Sequence, residues 1–218
     1  MQRHTYQVKE VMRKSSAPNV SDMRKLKRIA RFITKEPRIA LRFKRQAPVE
    51  MIETFVDSDF AGCQRTRKST AGGCIMRGAH CLKSWAKTLP ILALSTGEAE
   101  LMAVVKGTTE ALGMKSLLQD LGLGGKLAIR SDATAAIGIV ARVGLGKVRH
   151  LAVADLWVQQ AARRGEVEYT KIPGTLNPAD MFTKPVDRAT MERHMETISQ
   201  VKLEGRAKTA PQRRKGQQ

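Results

Sequence analysis

The apolar segment Met51–Asp57 runs into Thr54-Phe55-Val56-Asp57-Ser58-Asp59-Phe60-Ala61-Gly62 and stops on two acids and a glycine. A strand of this kind needs a sheet to bury it and leaves carboxylates at the sheet's edge. The segments that follow say what kind of sheet. Gly62 through Thr70 is a basic loop. Ala71–Met76 and His80–Trp85, joined by Arg77-Gly78-Ala79, read as a hairpin. Ile91–Leu94 is short and apolar, and Ser95-Thr96-Gly97-Glu98 then has the capping-box pattern of a helix start. Leu101, Val104, Val105, Thr108, Ala111 and Leu112 continue one face of that helix. After Gly122–Gly125, Lys126–Asp132 is another strand ending in an acid. A short helix over Ala133–Ala141, a bend at Gly144-Leu145-Gly146, a helix over Leu151–Arg164 and a strand over Glu166–Ile172 come next. Asn177-Pro178 predicts a last helix, with Asn as cap and Pro at its first position. Hairpins first and βα units later predict an α/β fold: a mixed five-stranded sheet, three antiparallel strands and then parallel βα units, flanked by helices.

Charge divides the chain. Of 218 residues, 39 are Lys or Arg and 20 are Asp or Glu, a net charge of +19. Residues 1–49 hold 14 basic and 3 acidic residues, residues 201–218 hold 6 and 1, and the middle is nearly balanced. This predicts a basic connecting segment at 1–49, a globular domain at 50–200 and a basic, disordered tail at 201–218. Residues 1–20 are polar and unpatterned. A helix follows, capped near Ser21 or Asp22, with Met23, Leu26, Ile29, Ala30 and Ile33 at helical spacing; Pro37 ends it, and 39–49 reads as an extended linker. Basic ends suit a polyanion, most commonly nucleic acid. Cys63, Cys74 and Cys81 lack metal-site spacing and read as reduced thiols in an intracellular protein. No apolar run reaches membrane-span length, so no membrane partner is expected.

Asp57 and Asp132 each end a strand; if those strands lie side by side and parallel, both acids sit at the sheet edge where α/β sheets build sites. Glu100 falls early in the helix after the capping box, and Asp180 in the first turn of the last helix. Four converging carboxylates would repel one another unless cations held them together. Two hard divalent ions on oxygen ligands form the usual clamp for phosphodiester displacement. Acids in these places also serve as turn formers and helix-dipole partners.

TFVDSDFAG, RTRKSTAGG, ALSTGEAELMAV, IRSDATAAIGI and LNPADMFTKPV, in that order, resemble the ribonuclease H domain of copia-type LTR retrotransposon Pol polyproteins over roughly residues 50–186. GLGKVRHLAVADLWVQQAARRGEVEYTKIPGT adds to the likeness, and DMRKLKRIARFITKEPRIALRF resembles the end of the reverse transcriptase upstream. The resemblance implies a ribonuclease H-like fold and a two-metal endonuclease cutting the RNA strand of RNA–DNA hybrids in reverse transcription. Its cofactor would be Mg²⁺, two ions, with Mn²⁺ the other candidate. It makes Asp57, Glu100, Asp132 and Asp180 the catalytic metal ligands, with Asp59 an auxiliary candidate. Arg65, Arg67, Lys68, Ser69 and Thr70 would grip phosphates beside the first acid, and Lys184 would reach the backbone. The loop before Asp180 lacks the histidine that cellular and retroviral ribonucleases H often carry; His150 is the auxiliary candidate in its stead. The implied partners are the hybrid and the reverse transcriptase domain of the same polyprotein, in cytoplasm, nucleus or a virus-like particle. Two other readings stay open. D-x-D after a strand also opens aspartyl phosphotransferases, though Phe60-Ala61 and the lone Asp132 fit them poorly. A catalytically silent, hybrid-binding remnant accounts for the charge equally well.

Overall fold

The computed structural model describes residues 5–36, 38–144, 146 and 153–205. Strand alternation builds the centre. In β2 (Met51–Asp59), Ile52, Thr54 and Val56 are fully buried. It pairs antiparallel with β3 (Thr70–Arg77), which pairs antiparallel with β4 (His80–Thr88). On its other side β2 pairs parallel with β5 (Lys126–Ser131), and β5 pairs parallel with β6 (Val167–Lys171). The order β4-β3-β2-β5-β6 is the expected mixed five-stranded sheet. Arg130 of β5 pins the parallel register, reaching Glu53 of β2 at 3.0 Å and Glu168 of β6 at 3.2 Å.

Each sheet face has its own core. Ile52, Val56, Ala71 and Ile75 pack with Leu101 and Val104 of α3 (Thr96–Asp120) and with Ile139 and Val140 of α4 (Thr134–Ala141). Val158 and Ala161 of α5 (Trp157–Arg163) complete that layer. On the opposite face Phe55, Cys74, Met76 and Cys81 pack against Met181 and Phe182 of α6 (Asp180–Thr183) and against Ile198, just past α7 (Arg188–Thr197). Gly72 makes the second layer possible. A Cβ there would lie 2.7 Å from the Thr183 side chain and 2.8 Å from Phe182 Cβ, so only glycine lets α6 rest directly on β3.

Several expectations are corrected. Residues 1–20 are not featureless, because α1 (Thr5–Met12) lies there and packs on α2 (Val20–Lys35). Asn19 rather than Ser21 or Asp22 caps α2; its side chain accepts from Asp22 N at 3.0 Å, while Asp22 accepts from Asn19 N at 3.2 Å. The expected linker contains β1 (Ile39–Leu41), which pairs with β7 (Gln200–Lys202), so a strand crosses the expected 200/201 boundary. Asn177 does not open a long helix. Its Oδ1 accepts from Ala179 N at 3.1 Å, a local turn, and the four-residue α6 starts only at Asp180. A separate helix, α7, follows, capped by Asp187, which accepts from Thr190 N at 2.9 Å. The helix expected over Leu151–Arg164 is described as a 3₁₀ turn over Val153–Leu156 and then α5. No described helix is long and apolar enough to cross a membrane.

Candidate active site

Parallel pairing creates the site. β2 and β5 run in register from Met51 beside Lys126 to Phe55 beside Arg130, and the same register carried forward sets Asp57 beside Asp132. The loop after β6 returns over that edge and delivers Asp180. One carboxylate oxygen from each of Asp57, Asp132 and Asp180 lies within 4.8 Å of the others. Asp57 is buried, and the other two are partly buried.

Neighbours fix each acid. Thr183 Oγ1 donates a short hydrogen bond to Asp57 Oδ2. Asn177 Nδ2 donates to Val56 O at 2.9 Å and to Asp132 Oδ1 at 3.3 Å, tying the loop to both strands. Gly174 lets that loop approach, since a Cβ there would sit 2.8 Å from Asp132 Oδ2. Lys184 Nζ lies 3.1 Å from Asp180 Oδ1 and 3.6 Å from Asp57 Oδ2, a half-exposed counter-charge over the cluster.

Glu100 does not join the triad. Asp57 shares a sheet face with Phe55 and the α6 layer, whereas Glu100 rides on α3, which packs on the Val56 face. It is nonetheless buried and feels Asp57 and Asp132, and its Oε2 has no hydrogen-bond partner among the described residues. Glu98 is a positioning acid, as the capping box implied: Ser95 Oγ accepts from Glu98 N at 3.1 Å, and Glu98 Oε2 accepts from Leu94 N at 2.6 Å. Asp59 lies outside the triad, folded over Gly62, where a Cβ would fall 1.6 Å from its Oδ2.

The basic loop divides. Arg65 and Arg67 are exposed, and Arg67 adopts a left-handed φ of 53°. Lys68 Nζ donates to Pro90 O. Ser69 and Thr70 are corrected as phosphate ligands. Ser69 is 0% exposed and its Oγ accepts from Ala61 N at 3.0 Å, while buried Thr70 accepts from Lys9 Nζ at 2.7 Å. Both hydroxyls hold the loop instead. His150 lies outside the described residues. Trp85 is core. The sequence reading missed Thr183 and misread Asn177; the signal available was their place in the segment that carries Asp180.

Burial pushes the Asp57 carboxyl up to about 7, against the pull of Lys184 and the Thr183 hydroxyl and with added repulsion from Asp180 and Asp132. Burial likewise pushes Glu100 up to about 8, reinforced by Asp57 and Asp132. The folded chain therefore holds protons on these groups that the unfolded chain has lost, between about pH 4 and pH 8. With more protons bound in the folded state, stability falls as pH rises through that window, by up to about 1.4 kcal/mol per pH unit for each group while it titrates. Thermal melts of metal-free protein should show the midpoint dropping from pH 5 to pH 8. Mg²⁺ should restore it chiefly at pH 8, where both acids are ionised. A midpoint independent of both pH and Mg²⁺ would contradict the crowding of charge inferred for this pocket.

The sequence is 29% identical over 150 residues to the retrovirus-related Pol polyprotein from transposon TNT 1-94 of Nicotiana tabacum, across 68% of this chain and 11% of that protein. It is 24% identical over 197 residues to the retrovirus-related Pol polyprotein from transposon RE1 of Arabidopsis thaliana, across 89% of this chain and 13% of that protein. The relatives that the sequence resembles are thus retrovirus-related Pol polyproteins of plant transposons. The chain spans only about an eighth of these relatives' length. Among solved structures it is similar to LC11-RNase H1 isolated from compost, at 15% identity and a TM-score of 0.49, covering 62% of this chain and 94% of that one. No protein-family model matches the chain.

Proposed function

We propose that this segment is the metal-dependent ribonuclease H of a copia-type retrotransposon Pol polyprotein, hydrolysing the RNA strand of RNA–DNA hybrids. The observation that carries the reading is the convergence of Asp57, Asp132 and Asp180 within 4.8 Å. The donor set fits a hard cation. It is all carboxylate, without His or Cys, which suits Mg²⁺ or Mn²⁺. The orphaned buried Oε2 of Glu100, close enough to be repelled by Asp57 and Asp132, also fits a fourth oxygen ligand. Two Mg²⁺ ions, held by Asp57, Glu100, Asp132 and Asp180, would supply Lewis-acid stabilisation at a phosphodiester and acidify a water.

The remaining roles fall to the chain's own side chains. Thr183 and Asn177 orient Asp57 and Asp132, so that the carboxylates need not reorganise during the reaction. Lys184 offsets the acid cluster and is exposed enough to meet a substrate phosphate. Arg65 and Arg67 are exposed in the neighbouring loop as further backbone contacts, while Lys68 is tied to Pro90 O. The hybrid's 2′-hydroxyls distinguish its RNA strand. The reverse transcriptase of the same polyprotein would be the natural partner, in an intracellular setting.

One observation favours a binding-only remnant: Lys184 already offers a counter-charge to two of the acids. A labelled RNA–DNA hybrid incubated with purified protein in Mg²⁺ or Mn²⁺, against chelator, decides between them. Cutting of the RNA strand, absent in chelator and with single-stranded RNA and duplex DNA, is the expected result. Hybrid binding without cutting in either metal would favour the remnant.

A further inference from the structure

We propose that α2 is a second grip on the nucleic acid: an exposed cationic stripe that holds a phosphate backbone beside the carboxylate site. The inference rests on the nucleic-acid reading above but does not need cleavage. Arg24, Arg28, Arg31 and Lys35 recur at i, i+4, i+7 and i+11, so they line one side of the helix over about 16 Å. All four are exposed, as is Lys27 beside them, and none of the five has an acidic partner among the described residues. The helix's own acid, Asp22, is buried elsewhere, with Lys14 at 3.4 Å and Lys25 at 3.8 Å. Unpaired cations ranged along one rigid face repel one another; a polyanion relieves that repulsion and releases counterions as it binds.

The stripe is anchored to the site. Its neighbour α1 is pinned to the mouth of β3 by Lys9 Nζ on Thr70 Oγ1, and Thr70 pairs with Asp59 across the sheet. Arg13 of the turn after α1 reaches Cys63 Sγ at 2.9 Å and Thr66 Oγ1 at 3.3 Å, both in the basic loop. Lys25 and Arg28 of α2 share a crevice with Tyr6, Glu10 and Pro185, the residue after Lys184. A strand of phosphates leaving Lys184 would therefore meet Arg28 next and could follow the stripe outward. Exposed Met23, Leu26 and Ile33 lie on a different sector of the helix and do not interrupt it.

Fluorescence anisotropy of a labelled RNA–DNA hybrid, in chelator and across a salt series, tests this without reference to cutting. Arg28→Ala/Arg31→Ala should flatten the slope of log affinity against log salt by about 2, and adding Arg24→Ala and Lys35→Ala by about 4. At roughly 0.1 M salt the four-fold variant should bind at least ~10-fold more weakly. The control removes equal charge at the far end of the sheet, where β5 and β6 begin, as Lys126→Ala/Arg164→Ala, and should change the slope little. Alanine favours helix, and circular dichroism of each variant verifies that α2 is kept. Equal slopes for the Arg28/Arg31 pair and the control pair would overturn the proposal. So would unchanged hybrid binding with lost binding to phosphatidylserine vesicles, which would make the stripe a lipid contact. Failure of the nuclease reading would appear separately, as hybrid binding that never leads to cutting.

Discussion

Asp57→Asn is expected to lower cleavage of an RNA–DNA hybrid by about 10³-fold or more, equivalent to about 4 kcal/mol of transition-state stabilisation. The substitution keeps the side chain's shape and removes its charge. Asp57 is the buried member of the triad, beside Asp132 and Asp180 and in contact with Lys184 and Thr183, so its charge is lost from within the cluster. Hybrid affinity in chelator should stay within a few-fold of wild type, because losing an anion does not weaken attraction to a polyanion. Asp132→Asn should act alike, since the strand register makes the two acids neighbours. The discriminating measurement is single-turnover cleavage at saturating protein, beside anisotropy. Cutting at the wild-type rate by either variant would sink the site assignment, and a matching loss of binding would mean that the acids act on folding rather than on chemistry.

How far such a site can be read from a sequence depends on which interactions are local. Asp57 and Asp132 were legible because each closes an apolar run that reads as a strand, and parallel pairing of those two strands, across the β3-β4 hairpin and α3 in sequence, brings both acids to one edge. The sheet itself follows from the same alternation. Asp180 was named from its place in a helix's first turn and from motif resemblance, but not placed, since what brings it in is the loop after β6, and Asn177's grip on Val56 O and Asp132 spans distances that no local pattern encodes. Asn-Pro signals a helix cap by propensity; the long-range hydrogen bonds outweighed that propensity here. Ser69 and Thr70 looked like loop hydroxyls beside cations, yet the chain needed them inside, to satisfy Ala61 N and Lys9. The three-residue strands β1 and β7 are too short to show a period, and their pairing joins segments more than 150 residues apart. Helix α1 was missed because its stability comes from docking on α2 and the β3 mouth rather than from an apolar stripe of its own.

The same logic makes Phe182 the residue on which site and fold depend together. It is 0% exposed, belongs to the smaller core and lies between Met181 and Thr183, on the one-turn helix that begins with Asp180. A helix of four residues has no stability of its own. What holds it is burial of its side chains against Gly72, Cys74 and Phe55, so the positions of Asp180 and Thr183 are set by packing. Phe182→Ala should cost about 3–5 kcal/mol in urea unfolding, the transfer loss plus the cavity left behind. It should also depress cleavage well below the temperature at which the variant melts, because α6 can slide into the cavity and carry Thr183 off Asp57. Phe182→Leu fills most of the space and should recover much of both. A destabilised Phe182→Ala protein that still cut at the wild-type rate would show that the acids are held by the β2 and β5 strand ends alone, and that α6 is a cover rather than a part of the site.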